Sequence, residues 1–206
     1  QRKVAASTLV ASIYDQATWD QQLRDDAEPV VAGVAKEYGE KAANEFKAKY
    51  SSDDAEVLAL ISLQLTRLIK VNDTTANLIA DALDQGMALE ETVESLSERI
   101  EALFNDRSDM AGASAATEVL AAASGVRHLM AREGSAGVTD KTWVSLEDDR
   151  VRETHAEVSG TTLGFNDEFE VGLSRMQYPG DPAGAVEEVI NCRCALVYSS
   201  DSGPIL

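Results

Sequence analysis

The chain has 206 residues and a hydrophobic content of 44%, which is enough to build a core in one large domain or two small ones. Its 36 acidic residues outnumber 18 lysines and arginines, and the formal net charge of -18 disfavours an electrostatic grip on nucleic acid or anionic lipid. No apolar run approaches the roughly 20 residues that span a bilayer, and residues 1–16 lack the features of a secretion signal. We therefore expect a soluble chain that does not bind membranes and does not bind nucleic acid strongly.

The first 132 residues have a composition that favours helix. They contain a single proline, Pro29, and are rich in Ala, Leu, Glu and Gln. Residues 8–50 predict one or two helices with a break near Pro29, because a proline disfavours helical geometry in the residue before it. The aromatic residues of this stretch are expected to pack mainly in the core, with a docking face for a partner as the alternative. They are Tyr14, Trp19, Tyr38, Phe46 and Tyr50.

Residues 51–104 carry three amphipathic patterns. The first begins at Ser51–Asp54, which offers a helix cap, and its apolar residues share one helical face. These are Val57, Leu58, Ile61, Leu65, Leu68 and Ile69. The second pattern predicts a helix capped by Asn72 or Asp73 and ended by Gly86. The third has the apolar stripe Leu89, Val93, Leu96, Ile100 and Leu103. Short connections between the three predict a compact helical cluster.

The pattern changes in the last third of the chain. Residues 107–134 predict a helix rich in small residues, followed by a turn at residues 135–140. Residues 141–150 predict a strand, because Trp143 and Ser145 alternate with Val144 and Leu146. Next comes a short predicted helix, capped by Asp148 or Asp149 and ended by Gly160. Turn-rich loops follow, with a rigid segment at residues 179–182, and the module ends in a predicted closing strand over residues 188–198. The predicted fold class is α+β: a helical region over residues 1–104 and a small α+β module with a short β-sheet over residues 105–206.

The chain contains two cysteines, Cys192 and Cys194, which argues against a disulfide scaffold and fits a reducing compartment. On a strand, alternate residues share a face, so the two thiols are expected to point together and Arg193 the other way. A structural zinc site needs four ligands, for which His155, His128 and an acid are the candidates. A catalytic cysteine needs an activating histidine, and His155 is again the candidate. The pattern favours the third interpretation, two neutral thiols buried on the core face.

Charged residues near this region predict a buried polar network. Arg152 and His155 are three residues apart, so they share a face of the predicted helix, while Arg150 is offset from it. Glu118 is a mid-helix acid that would pair with Arg152 if their helices pack together. Buried charges are usually paired, so a structural role is favoured over catalysis. The acidic runs at residues 146–149 and 166–170 lack the spacing of a calcium loop.

The order of these motifs resembles the C-terminal domain of the Mu F-like family of tailed-phage minor head proteins. The resemblance covers residues 105–198 and rests on an ordered set of positions, including a Trp, an Asp-x-Arg-x-Arg-x-x-His motif, a proline loop and Asn-Cys-Arg-Cys. These are Thr117, Glu118, Trp143, Asp149, Arg150, Arg152, His155, Gly160, Phe165 or Phe169, Pro179, Gly180, Asp181, Pro182, Asn191, Cys192, Arg193 and Cys194. The chain departs from the family pattern at Ser159, where an Asp is usual, and at Ala116, where an Arg is common.

The resemblance implies a structural virion protein without enzymatic activity or cofactor. Such a protein is expected inside the head near the portal, assembled in the host cytoplasm, and needed for head morphogenesis and for DNA packaging or ejection. The implied partners are the portal protein and/or the major capsid protein, in an oligomeric assembly, with residues 1–104 as the docking part. The residues expected to form a structural network are Glu118, Trp143, Asp149, Arg150, Arg152, His155, Asn191, Cys192, Arg193 and Cys194.

Two alternatives remain open from the sequence. The first is an enzyme or toxin-type effector that uses Cys192 and His155, because effectors occur fused to this domain in the family. The second is a zinc-stabilised interaction module with Cys192, Cys194 and His155 as ligands.

Overall fold

The computed structural model describes residues 6–105 and 108–205. A helical region precedes a small module of short strands and helices, so the fold class is α+β, as the sequence predicts. The first five elements are α1 (Ala6–Ile13), α2 (Gln16–Phe46), α3 (Ala55–Ala88), α4 (Val93–Asn105) and α5 (Ser108–Glu133). The predicted small-residue helix is confirmed from Ser108 onward, and its predicted start at residue 107 lies outside the described residues. None of the helices in the described ranges combines the length and apolarity needed to cross a membrane.

Helix α2 runs through Pro29 without interruption, so the predicted break is wrong. Pro29 is exposed, and the turn that follows it is held by the burial of Val31 and Ala35 in the main core. A proline removes one backbone hydrogen bond, but packing along the rest of the helix outweighs that local loss. The helix begins at the cap Asp15, which accepts a hydrogen bond from the Thr18 amide, and it ends at Lys47 with a left-handed φ of 54°.

Helix α3 joins two segments that the sequence predicts as separate helices. Asp54 caps its start by accepting hydrogen bonds from the amides of Glu56 and Val57, as predicted. Asn72 does not cap a second helix: its buried amide donates to Asp20 Oδ1 on α2 at 2.7 Å. Asp73 likewise accepts a hydrogen bond from the Gln16 side chain. The two polar residues therefore hold α2 against α3, and the backbone stays helical through them.

The ends of α3 and α4 also differ from the predicted pattern. Gly86 lies inside α3, where a Cβ atom would meet the side chain of Leu96, so this glycine allows α4 to approach closely. Leu96 and Ile100 pack against a second core cluster, but Leu89 and Val93 are 69% and 77% exposed. The predicted stripe is wrong at those two positions, because Leu89 ends α3 and Val93 begins α4, at the turn that connects them.

The aromatic residues of the helical region are not all in the core. Phe46 is completely buried, and Tyr14 and Tyr50 are half-buried. Trp19 and Tyr38 are 50% and 44% exposed, so the prediction of core packing is wrong for these two. Both lie on the solvent side of α2, which packs against α3 and α5 through small residues and Phe46.

The C-terminal module is built from short elements. They are β1 (Val138–Val144), α6 (Glu153–Val158), β2 (Thr162–Gly164), β3 (Phe169–Val171), β4 (Ser174–Met176), α7 (Val186–Val189), β5 (Ala195–Ser200) and β6 (Gly203–Pro204). An antiparallel sheet has the order β2-β1-β5-β6, and β3 pairs with β4 in a separate hairpin. The predicted strand is confirmed for residues 141–144 and is wrong for residues 145–150, because β1 begins at Val138, inside the predicted turn, and ends at Val144. Trp143 and Ser145 are both buried.

The main core lies between the helical region and the module. It contains Val31 and Phe46 of α2 together with Trp143 and Tyr198 of the sheet. The rings of Phe46 and Tyr198 meet edge to face, with centroids 5.2 Å apart. Arg127 of α5 lies over both rings and donates to the Leu196 carbonyl at 2.6 Å. Packing therefore crosses the predicted domain boundary at residues 104 and 105, and the division there stays a prediction.

Candidate functional site

The two cysteines lie in an irregular segment between α7 and β5. The predicted closing strand is wrong for this segment, because residues 186–189 are helical and β5 begins only at Ala195. Asn191 has a left-handed φ of 53°, which turns the chain, and its backbone N–H donates to Thr117 Oγ1 at 2.8 Å. The Cys192 amide donates to the Val189 carbonyl at 3.1 Å. This turn, rather than strand alternation, places the two thiols together.

His155 of α6 is the point on which both thiols converge. Its Nδ1 atom is 3.3 Å from Cys194 Sγ and 3.6 Å from Cys192 Sγ. Its Nε2 atom is 3.1 Å from Glu188 Oε2, and the same oxygen accepts a hydrogen bond from Thr154 Oγ1 at 2.8 Å. Since Glu188 is acceptor-only as a carboxylate, Nε2 donates to it, and Nδ1 faces the two sulfurs.

The site is shielded from water on its inner side. His155 and Cys192 are buried, and Cys194 is half-buried. The Trp143 ring meets the His155 ring edge to face, with centroids 5.8 Å apart. Its indole nitrogen is buried and makes no hydrogen bond of normal geometry with the residues that the structure describes, yet it interacts with the Cys194 sulfur and helps to lower the pKa of that thiol.

The two thiols influence each other's ionisation. The hydrogen bond from Cys192 lowers the pKa of Cys194, and contacts with His155 and Trp143 act in the same direction. Donating that hydrogen bond raises the pKa of Cys192, and burial raises it further. The charged form is therefore favoured at Cys194 over Cys192. Cys194 is half-buried, so the expectation of two buried thiols is wrong for Cys194, and the neutral state of the two thiols stays a prediction.

Arg152 and Glu118 do not form the predicted pair. Arg152 occupies the cap position of α6, and its guanidinium donates to the Ile190 carbonyl. Glu118 lies instead 3.8 Å from Arg67 of α3. Burial raises the pKa of Glu118, and the nearby Arg67 opposes that shift. The prediction fails because α5 presents Glu118 to α3 and not to α6.

The acids of residues 146–149 also act differently from the prediction. Neither Asp148 nor Asp149 caps α6, which begins at Glu153. Asp148 accepts two hydrogen bonds from the Arg193 guanidinium at 2.6 and 2.5 Å, and these lower the pKa of its carboxyl group. Asp149 and Arg150 are exposed. Arg193 thereby ties the segment of the cysteines to the loop after β1.

His128, a zinc candidate from the sequence, lies elsewhere in the core. Its Nδ1 atom is 3.0 Å from the Tyr198 hydroxyl, and its ring stacks on Phe165. Burial lowers the pKa of His128 to about 3, so the ring is neutral. Over the described ranges, the group of His and Cys side chains whose ligand atoms lie within 4.8 Å of one another is His155, Cys192 and Cys194.

Two buried charged residues were not predicted from the sequence. Glu188 is buried, follows another acid, Glu187, and precedes Cys192 by four residues. Lys141 is completely buried, donates to the Gln177 carbonyl at 3.0 Å and lies near the ring of Phe169. Burial lowers the pKa of Lys141 to about 8. The available signal was its spacing of two from Trp143, which places both side chains on one face of β1.

Comparison with known proteins assigns the family. Residues 73–197 match the profile described as Phage Mu protein F like protein, which is more than half of the chain. The chain belongs to the Phage Mu protein F like family. The match begins within α3, upstream of the resemblance seen from residue 105, and it includes the whole His155 cluster. Family membership identifies the chain as one of a group of phage head proteins.

A curated relative of this Mu F-like chain occurs in Bacillus subtilis (strain 168). The relative is named Uncharacterized protein YqbB, and the two are 29% identical over an alignment of 147 residues. The alignment covers 68% of this chain and 47% of the relative. The chain thus spans about half the length of that relative. No solved structure matches the chain.

Proposed function

We propose that this Mu F-like chain is a structural minor head protein of a tailed phage. It acts inside the head near the portal and supports head assembly and the packaging or ejection of DNA. The observation that carries the proposal is the family match over residues 73–197. The proposed role rests on binding other proteins and requires no catalytic step.

The proposed partners are the portal protein and/or the major capsid protein. A net charge of -18 disfavours binding to packaged DNA and favours basic or apolar protein surfaces. On α2, Trp19 and Val30 are 50% and 55% exposed. Eleven residues separate them, close to three helical turns, so they lie on one face of the helix. We propose this face as part of the contact with the portal.

The test is to locate the protein in assembled particles. We expect mass spectrometry of purified particles to detect the protein, and a tagged portal protein to retain it in a pull-down. Detection in particles without capture by the portal would refute the portal contact while leaving the head assignment in place. Absence from both would overturn the proposed function.

Surface variants test the proposed contact without disturbing the core. The double change Trp19→Ala, Val30→Ala is expected to weaken capture by the portal. Leu173→Ala is the matched control, because Leu173 is a fully exposed apolar residue in the C-terminal module. All three proteins should have the same far-UV circular dichroism. Equal capture of both variants would exclude this face of α2 from the contact.

A further inference from the structure

The positions of His155, Cys192 and Cys194 match the first coordination sphere of a metal ion. In a tetrahedral zinc site with bonds of about 2.3 Å to sulfur and about 2.0 Å to nitrogen, sulfur and nitrogen lie about 3.5 Å apart. Here the Nδ1 atom of His155 is 3.3 and 3.6 Å from the two sulfurs. The three ligand atoms therefore need little movement to receive an ion at their centre.

Glu188 occupies the position of an outer carboxylate. Histidines that bind metals usually donate their second ring N–H to a carboxylate, which fixes the ring and its tautomer. His155 Nε2 is 3.1 Å from Glu188 Oε2, and Glu188 is itself held by Thr154. Both His155 and Glu188 are buried. A histidine that only packs in the core does not need a carboxylate at one ring nitrogen and two sulfurs at the other.

Trp143 supplies a second observation that is independent of the ligand distances. Among residues 6–105 and 108–205, its buried indole N–H has no hydrogen-bond acceptor of normal geometry, and it interacts with the Cys194 sulfur. A buried donor without a partner costs free energy. A metal-bound thiolate, which is rich in electrons, is an acceptor suited to that N–H.

We infer that this cluster is a zinc site in which His155 Nδ1, Cys192 Sγ and Cys194 Sγ bind the ion and Glu188 orients His155. Two thiolates balance the charge of Zn²⁺, so the ion and its three ligands are neutral together, and the Glu188 carboxylate lies outside that set. Binding releases to solvent the protons that the two thiols carry. The described residues supply three ligands, where a typical structural zinc site has four, so a water molecule or another exchangeable ligand takes the fourth position. Cys194, which is half-buried, is the most exposed of the three ligands.

The ion would fasten together parts of the module that have little regular structure. It joins α6 to a segment 37 to 39 residues later in the chain, which has turns but no strand pairing. Strands β2, β3 and β4 have three residues each. Binding an ion would therefore add to the stability of these segments, because the site is complete in the folded chain alone. This role is independent of the proposed function in the head.

The competing chemistry is a reactive thiol, since Cys194, His155 and Glu188 also stand in the order of a nucleophile, a base and an orienting acid. A nucleophile needs a cleft in which its substrate binds. The groove between α3, α5 and residues 182–191 is lined by Ile190 and Asn191, and its lining includes neither cysteine nor His155. Both sulfurs lie near the same nitrogen of His155, which also favours a metal site over a single nucleophile.

Metal binding by the full chain is the direct test. The chain is purified without a histidine tag under reducing conditions and stripped with a chelator. We expect it to bind one Zn²⁺ per chain, and Co²⁺ to give the absorption of a tetrahedral site with thiolate charge-transfer bands. Zinc should raise the melting temperature of the stripped protein. A folded, reduced wild-type chain that binds neither ion stoichiometrically would overturn the inference, whatever the variants do.

Variants distinguish the site from adventitious binding. Cys194→Ser should weaken the thiolate charge-transfer bands at stoichiometric Co²⁺, because Cys192 is then the one thiolate ligand, whereas His128→Gln, a change of the other histidine, should leave them intact. Glu188→Gln should weaken zinc affinity by about 10- to 100-fold in competition with a chelator, while the Co²⁺ spectrum keeps its shape. Retention of the wild-type spectrum by Cys194→Ser would overturn the inference. Alkylation of Cys194 that is fast and unchanged by zinc would also overturn it, in favour of the reactive thiol.

Discussion

Gly180 should be sensitive to a single added methyl group. It lies in the proline-rich loop at residues 179–182, with a φ of +84°. An added Cβ atom would lie 2.9 Å from the Cα atom and 3.0 Å from the Cβ atom of Ala121, which is completely buried in α5. Gly180→Ala therefore strains the backbone and also makes the new methyl group clash with α5. A helix backbone cannot move aside as the end of a flexible side chain can.

Gly160 provides the matched control for the backbone contribution. Its φ of +82° is nearly the same, but an added Cβ atom would meet nothing within 4 Å. A left-handed conformation costs an alanine about 1 to 2 kcal/mol, which the lower entropy of the unfolded chain offsets by about 0.4 to 1 kcal/mol. Overpacking adds about 1 to 3 kcal/mol. We expect Gly160→Ala to cost about 1 kcal/mol and Gly180→Ala about 2 to 4 kcal/mol.

Urea unfolding measures both variants on the same scale. The free energy of unfolding is obtained from far-UV circular dichroism, with the fluorescence of the buried Trp143 as a second probe. Similar slopes in denaturant are required for the comparison. Equal losses in the two variants would show that the loop moves away from Ala121 at no cost, and would refute the argument from close packing.

Three further changes test other parts of the fold. Burial holds the pKa of Lys141 at about 8, below its value of about 10.4 when unfolded, so the unfolded chain binds more protons and stability rises with pH. This group alone should add about 1 kcal/mol to the free energy of unfolding between pH 7 and pH 9, and Lys141→Met should lose that increment; equal pH dependence in both proteins would contradict the assignment. Asp54→Ala removes the cap of α3 and should cost about 1 kcal/mol in urea unfolding, whereas Asp53→Ala, one residue earlier, should be close to neutral. Phe46→Ala should cost about 3 to 5 kcal/mol because its ring is fully buried, and Trp19→Ala, at a half-exposed ring, should cost much less in the same assay; similar losses would contradict the assigned core.

Helix periodicity and strand alternation predicted much of the fold. The three-four spacing in α3 correctly placed Val57, Ile61 and Leu65 in the core, and the alternation around Trp143 correctly gave the buried face of β1. Both signals are local and repeat over several residues, so one unfavourable position does not erase them. Pro29 misled the prediction because contacts made elsewhere along α2 outweigh one lost hydrogen bond.

The site was less predictable because its contacts are distant in sequence. Asn72 has the side chain of a helix cap, but its partner is 52 residues away on α2. Glu118 could pair with several arginines, and only the packing of α5 against α3 selects Arg67. For the cysteines, the prediction that both sulfurs point to the same side is correct, but the strand on which it was based is wrong. The turn at Asn191 and the position of His155 bring the sulfurs together.

The contact between Phe46 and Tyr198 limits how freely the C-terminal module can be moved between proteins. Arg127 binds Glu45 of α2 and lies over both rings, so the sheet shares its apolar underside with α2. The family match begins at residue 73, downstream of α2. A fusion protein that begins at residue 73 would lack α2 and would expose the ring of Tyr198. A fragment designed to carry this domain into another protein therefore has to include α2 or an apolar helix that replaces it.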